Sequence, residues 1–395
     1  MDETPSAIAH FAQSNFRGRK KIFGISTKDR HHHIYVIGKT GTGKSTLMET
    51  LMQADARLGL GFALFDPHGD LAQRVIARLP DARKDDLIYL NLPDRSSAHH
   101  FNPLSGIPPA ARARTAAALL EAFKKIWAES WGPRLEHLLR NVLLALVEQP
   151  NATFADVPRL LEDASFRRSA AGRVLNEHVR HFWLREYESY PARFRAEVIA
   201  PLQNKIGAFL TNPIVSRFVC VPQSTFSLAA IMNSGKILVL NLSKGQIGED
   251  AAALIGAFLI ARINAEALSR AEMPLPERRS FFVYLDEFQT FTTLSLVTML
   301  SEVRKYHIGL ILANQYLTQL DPLVRDAILG NVGTLISFRV GVADAEVLAL
   351  EFYPTFKMDD LVNLPNHSFY LRLMINGHVS KPFSADSLPP SHPRR

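Results

Sequence analysis

The sequence predicts an α/β fold with a largely parallel central sheet and an inserted all-helical segment. Three observations carry this. Short apolar runs of strand length recur along the chain, one of them leads straight into a glycine-rich loop, and the rhythm breaks for a long stretch in the middle.

The runs are IYVIG (34–38), FALFD (62–66), LIYLNL (87–92), ILVLNL (237–242), FFVYLD (281–286), IGLILAN (308–314) and TLISFRV (334–340). Each is apolar on both faces, which suits strands covered by helices on two sides. Helical stretches lie between them, as in a doubly wound domain. Near the end, SFYLRLMINGHVSKPFSA places an Asn376-Gly377 step between alternating segments, a hairpin signal.

The break lies between Leu92 and Ile237, where strand character disappears and prolines mark the edges (Pro103, Pro108, Pro109, Pro213, Pro222). LEHLLRNVLLALVEQ (135–149) has helical spacing of its apolar residues, and 166–190 is similar. The expected division is therefore a polar, basic arm at 1–30, an α/β domain at 31–107 and 223–395, and an all-α insertion at 108–222. The insertion carries 16 Lys/Arg against 11 Asp/Glu, most of the chain's net charge of +7. Arg167, Arg168, Arg173, Arg180, Arg185, Arg193 and Arg195 cluster there with Phe182, Trp183 and Tyr187 among them. Both a nucleic-acid face and an ordinary solvated helix surface fit that pattern.

Composition narrows the class further. Of 395 residues, 47% are hydrophobic and 21% charged, which excludes disordered and fibrous chains. A single cysteine, Cys220, excludes an intramolecular disulfide framework and fits a reducing compartment. The most apolar run, AAALIGAFLIA at 251–261, stops at Arg262, short of the roughly 20 residues a membrane span needs. The amino terminus, MDETPSAIAH, lacks the basic-then-apolar order of a signal peptide, so a cytoplasmic protein with no integral membrane segment is expected.

The chemistry is concentrated in GKTGTGKST (38–46), which satisfies the phosphate-loop pattern with Gly38, Gly43, Lys44 and Ser45. Backbone N–H groups of Thr40, Gly41, Thr42, Gly43 and Thr46 are placed to surround phosphates. Lys44 is expected to reach the β- and γ-phosphates of ATP, Ser45 to supply a hydroxyl to Mg2+, and the following helix to aim its positive end at the anion. In FFVYLDEF (281–288) a strand ends in two acids. Asp286 is expected on the metal side and Glu287 as general base for the attacking water. Gln315 closes the next strand, where an amide can report hydrolysis. Arg304, ahead of that strand, is a candidate to reach a neighbouring subunit's nucleotide, with Arg339 a weaker second.

Other residues read as structural. His31, His32 and His33 cannot all face one ion from an extended segment, so a zinc site is not expected. DPHGD (66–70) is expected to form a turn, although Asp66 or His68 could line the site or contact DNA. Cys220 is expected in the core.

The order of GKTGTGKST, FALFDPHGD, LDEF and RKYHIGLILANQ (304–315), with a helical insertion after the early strands, resembles the TraD/TraG-like coupling ATPases of type IV secretion and conjugation, within the HerA/FtsK group of DNA pumps. The resemblance covers roughly residues 22–385. It implies a RecA-like P-loop NTPase motor, ATP sites between the subunits of a ring hexamer, DNA in the central channel, and an all-α domain that recognises the transferred DNA–protein substrate. Carried onto this sequence, Lys44 and Ser45 bind phosphate and Mg2+, Asp286 and Glu287 are metal-side acid and base, Gln315 is the sensor, and Arg304 the intersubunit arginine. A relaxase or secretion-channel protein is the implied partner. Coupling proteins commonly carry amino-terminal membrane helices, which are not expected here. Docking on a membrane partner, a soluble HerA-like role in DNA processing or defence, and a protein-secretion ATPase therefore stay open.

Overall fold

A computed structural model describes residues 7–15 and 20–390. By internal contacts the chain forms two compact units: residues 1–91, 229–243 and 267–395, and residues 92–228 with 244–266.

The first unit is built on an eleven-stranded sheet. Its strands, with a separate two-stranded hairpin, are β1 (Ile8–Ser14), β2 (Ile22–Ser26), β3 (Ile34–Ile37), β4 (Gly61–Asp66), β5 (Leu87–Asn91), β6 (Ile237–Asn241), β7 (Phe281–Leu285), β8 (Ile308–Asn314), β9 (Thr334–Ser337), β10 (Ser368–Arg372), β11 (Met374–Ile375), β12 (His378–Val379) and β13 (Phe383–Ser387). The sheet order is β2-β1-β13-β10-β9-β3-β8-β7-β4-β6-β5. From β9 to β5 every pairing is parallel; from β9 outward to β2 every pairing is antiparallel. All seven expected strands are present. Those of the parallel centre, β3, β4, β6, β7, β8 and β9, are buried at every residue, the reason they read as continuous apolar runs.

Helix Lys44–Arg57 lays Leu47, Met48, Leu51 and Met52 on Ile34, Val36, Phe62, Leu64 and Ile336. Each such fully buried side chain contributes about 1.5–3 kcal/mol. At the other end of that helix, Asp55 forms a buried ion pair with Arg30, and both reach the Tyr284 hydroxyl (Arg30 Nη2 at 2.6 Å). Asn376 and Gly377 have φ of 51° and 79°, the left-handed pair that a tight hairpin turn requires. Asp29 fixes that turn by accepting the N–H of both residues, at 3.0 and 2.8 Å.

The stretch 1–30, expected as a polar and basic arm, carries two strands in its described residues 7–15 and 20–30. Within them β1 and β2 extend the sheet, β1 pairing with β13 and burying Phe11 and Ala12. The Phe11, Phe23 and Phe383 rings meet edge-on at 5.4 Å. Antiparallel strands with one solvated face alternate apolar and polar residues, which on a short segment resembles a polar tail. Of the basic knot expected there, Arg17 and Arg19 lie outside the described residues.

The second unit is helical. Helices Arg112–Ile126, Pro133–Leu146, Ala164–Arg173 and Ala192–Thr211, with shorter ones, surround a cluster in which Phe154 stacks on Phe258 at 5.2 Å and meets Phe123 edge-on at 5.5 Å. Phe258 comes from 244–266, a segment the sequence reading placed in the motor domain. Arg262 ties the same segment down by donating to Pro103 O (3.2 Å) and Ser105 O (2.7 Å). Nearness along the chain to β6 and β7 hid this return. Among the described residues one helix, Glu249–Glu272, is long and apolar enough to cross a membrane by length and composition, and 89% of its most apolar window is buried, as in a core helix.

The expected arginine–aromatic face is corrected in part. Phe182, Trp183 and Tyr187 are buried, so they belong to the helical core and are not stacking platforms. Arg167 is buried too, donating to Glu188 Oε1 and to the Leu160 and Leu161 carbonyls. Arg195 donates to the carbonyls of Tyr187, Glu188 and Tyr190. Arg168, Arg173, Arg185 and Arg193 are exposed, and Arg180 is half-buried.

Candidate nucleotide-binding site

Four neighbouring parallel strands, β3, β8, β7 and β4, end side by side, and the residues that follow them make the site. This is the carboxyl edge of the sheet, where ligands bind in open α/β folds.

After β3 the chain forms the loop 38–43 and enters helix Lys44–Arg57 with Gly43 as its first cap, φ 122°. Only glycine takes that conformation without strain, and a Cβ there would press on His367 and Phe338. At Gly38 a Cβ would lie 2.6 Å from Phe338 Cβ, so the loop closes only around a residue without a side chain. Thr42 Oγ1 donates to Lys39 O at 2.7 Å and tightens the turn. Lys44 is buried and curls into its own loop, donating to Gly38 O (2.5 Å) and Lys39 O (3.1 Å). Burial lowers its pKa, while the charges of Asp286 and Glu287 act in the opposite sense. Ser45 and Thr46 start the helix and are half-buried. Thr40 and Gly41 stand exposed at the loop's tip.

After β7 come the two acids, both buried. Burial pushes the Asp286 carboxyl up to about 6, and the nearby Asp66 charge adds to the effect; Lys44 opposes it. A bound cation beside Asp286 would reverse that logic and favour the carboxylate. Glu287 sits at φ 43°, ψ 51°, the left-handed region a side chain normally avoids. The turn is held by the Glu287 N–H, which donates to Asp286 Oδ1 at 3.1 Å.

Gln315 follows β8 and uses both ends of its amide. Its Oε1 accepts from Thr40 Oγ1 at 2.9 Å, and its Nε2 donates to Glu287 Oε1 at 2.7 Å. Asn314, just before it, is buried, accepts from Tyr35 OH (2.7 Å) and donates to Tyr316 O (2.8 Å), which holds the strand tip in place. Neither Asn314 nor Tyr35 was flagged by the sequence; each sits in an apolar run that conceals a polar network.

The DPHGD turn after β4 is both structural and part of the site. Asp66 accepts the N–H of His68 (2.9 Å) and of Ala72 (2.8 Å), which makes it the cap of the turn. His68 Nε2 lies 3.0 Å from Glu287 Oε1.

Arg304 lies elsewhere. It is exposed in the turn Val303–Tyr306 that precedes β8, at the opposite edge of the sheet from the loop 38–45. There it borders a cavity of about 980 Å³ with Lys28, Asp29, His32, Arg278 and Lys305. Arg339 is occupied by Leu364 O (3.1 Å) and Asn366 Oδ1 (2.9 Å). The histidine tract holds no metal cluster among the described residues. His31 stacks on His307 and Phe282, and His33 bonds to Leu300 O and the Leu310 N–H. Burial, the largest influence on each, lowers their pKa values to about 3 and about 4.

No curated protein matches in sequence. The plasmid coupling protein TrwB, solved with ADP and Mg2+, aligns with a TM-score of 0.68 at 17% identity over 99% of this chain and 96% of that one. TrwB with a non-hydrolysable GTP analogue gives 0.68 at 16% identity over 100% and 97%. VirB4 of Thermoanaerobacter pseudethanolicus gives 0.64 at 14% identity over 100% and 98%. These likenesses show a shared fold, a mixed α/β domain together with helices. A family model for the type IV secretion-system coupling protein DNA-binding domain matches residues 21–347, and the chain belongs to that family.

Proposed function

We propose that the protein is a Mg2+-dependent ATPase of the coupling type, which assembles as a ring hexamer and moves DNA for a type IV secretion or conjugation system. The observation that carries this reading is the Gln315 amide joined at once to Thr40 of the phosphate loop and to Glu287. A phosphate-binding structure has no use for such a link; a motor that must sense hydrolysis does.

The residues fit the ligands. The loop offers backbone N–H groups and the Lys44 ammonium to phosphate, while the Ser45 hydroxyl and the Asp286 carboxylate are the hard oxygen donors that Mg2+ takes. The solved TrwB with ADP and Mg2+ supports the same pair of ligands here. Mg2+, when bound, supplies positive charge against the phosphate oxygens. Lys44 moves from its own carbonyls to phosphate, Glu287 takes a proton from the attacking water, and Gln315 carries the change in Glu287 to the loop. The Arg304 side chain makes no hydrogen bond or ion pair among the described residues and lies at the opposite edge of the sheet from its own loop, which supports a role at a neighbouring subunit's nucleotide. The family's DNA-binding description supports DNA as the partner, and exposed Arg168, Arg185 and Arg193 are the helical unit's side chains offered to it. Action in the cytoplasm, with a relaxase or secretion-channel protein as further partner, follows from the same reading.

The test is ATP hydrolysis against protein concentration, with and without single- and double-stranded DNA, using Lys44→Ala as the blank. Turnover that rises cooperatively with concentration and again with DNA is expected. Turnover indifferent to DNA would replace this reading with a protein-secretion ATPase, and turnover retained in Lys44→Ala would remove the loop assignment.

A further inference from the structure

Glu287 is gripped from both sides. Strand β7, which presents it, lies between β8 and β4, and each neighbour contributes one donor to the same oxygen. Gln315 Nε2, after β8, is 2.7 Å from Glu287 Oε1; His68 Nε2, after β4, is 3.0 Å from it. We propose that His68 is a positioning residue for ATP hydrolysis, its Nε2–H and the Gln315 amide together fixing the Glu287 carboxylate in the orientation from which it takes the water's proton. This rests on the reading of Glu287 as the general base.

The turn that carries His68 is rigid. Asp66 accepts its N–H and that of Ala72, and Gly69 follows at φ 93°. A Cβ at Gly69 would lie 2.5 Å from Asn241 Oδ1, so the chain passes too close to Asn241 for any other residue. Asn241 is itself fixed by its bond to Asn91 Oδ1 at 2.9 Å. The imidazole is therefore delivered from a backbone with little freedom. Its side chain is 46% exposed, so burial gives little reason for a histidine at this place; the contact with Glu287 does. A base works only within hydrogen-bond reach of its proton, and a base held by a third group spends more of its time there. Glu287, on a left-handed backbone, owes its orientation to such contacts.

The test uses the full chain carrying His68→Ala or His68→Gln. His68→Ala is expected to lower kcat for ATP by about tenfold, a modest share of what misplacement of a catalytic group costs. KM and the affinity for a fluorescent ATP analogue should stay within about twofold of the wild type, since phosphate binding is left alone. His68→Gln, whose amide can donate from a similar place, should recover most of the lost kcat. A readout independent of turnover is labelling of His68 by diethyl pyrocarbonate, followed by peptide mass: it should speed up when Glu287→Ala removes the acceptor. Wild-type kcat in His68→Ala, no recovery in His68→Gln, or labelling indifferent to Glu287→Ala would each overturn the proposal. If Glu287→Gln abolishes hydrolysis while His68→Ala does not reduce it, the base stands and His68 falls. If Glu287→Gln hydrolyses normally, the base assignment itself is gone.

Discussion

Gln315 and Glu287 are joined by a hydrogen bond of 2.7 Å between the tips of two adjacent strands, and the same Gln315 amide accepts from Thr40 in the phosphate loop. Any change at the Glu287 carboxylate is thus one side chain away from the loop 38–43.

Glu287→Gln keeps size and shape but cannot take a proton. Nucleotide affinity should be within a few-fold of wild type while hydrolysis falls by about 100-fold or more, the usual worth of a positioned base. Filter binding of ATP alongside single-turnover hydrolysis separates the two, and rapid hydrolysis would place the base elsewhere. Gln315→Ala should lower kcat less, because His68 remains on Glu287 Oε1.

Asp286 offers a test in pH. Its folded pKa, about 6, lies above the ordinary 3.8. An acid of this kind binds its proton more tightly when folded, so its cost is absent below about pH 4, grows through 6 and is full at neutral pH. Asp286→Asn should therefore raise the stability of the nucleotide-free protein at pH 7.5, by on the order of 3 kcal/mol. Melting curves should show the gain shrinking toward pH 5, and hydrolysis should be lost. A gain that does not depend on pH would mean that packing, not charge, explains it.

Arg304→Ala should bind ATP with its own loop intact yet fail to turn over. Mixed with Glu287→Gln subunits, it should regain activity, because rings then contain interfaces where an intact base meets an intact arginine. Inactivity at every mixing ratio would refute action in trans.

The buried ion pair of Arg30 with Asp55, at the far end of the helix that begins with Lys44, sets a stability prediction. Asp55→Ala strands a guanidinium with no exposure and should cost about 3–5 kcal/mol, read as a lower denaturant midpoint at unchanged slope. A double change of Asp55→Leu with Arg30→Met should recover much of it, since no charge is then left without a partner.

The parallel centre and the phosphate loop were legible in the sequence because each is local: a run of apolar residues, or glycines at fixed spacing. What was hidden depends on partners distant in the chain. β1 and β2 looked like a polar tail because their apolar faces are completed by Phe383 and β13, more than 300 residues later. Phe258 looked like part of the α/β domain because its segment runs between β6 and β7, while its neighbours in space are Phe123 and Phe154. Phe182, Trp183 and Tyr187 matched a nucleic-acid face by composition, and only their burial distinguishes core from surface. At the site, DPHGD announced a turn, but the reach of His68 to Glu287 depends on β4 and β7 being neighbours, which spacing alone does not reveal.

The pairing of Ala12 with Ser387 has a consequence for synthesis on the ribosome. Most of the chain must be made before β1 can meet β13, and β3 waits for β8 and β9 on its two sides. Loops this long close slowly, so the nascent sheet passes through a period with apolar strands lacking neighbours. The helical unit also cannot be completed until residue 266 has emerged, after β6 has already been made for the other unit. The sheet of the first unit is therefore the later of the two to close, because its β1 has no β13 to pair with until residues near 387 have been made.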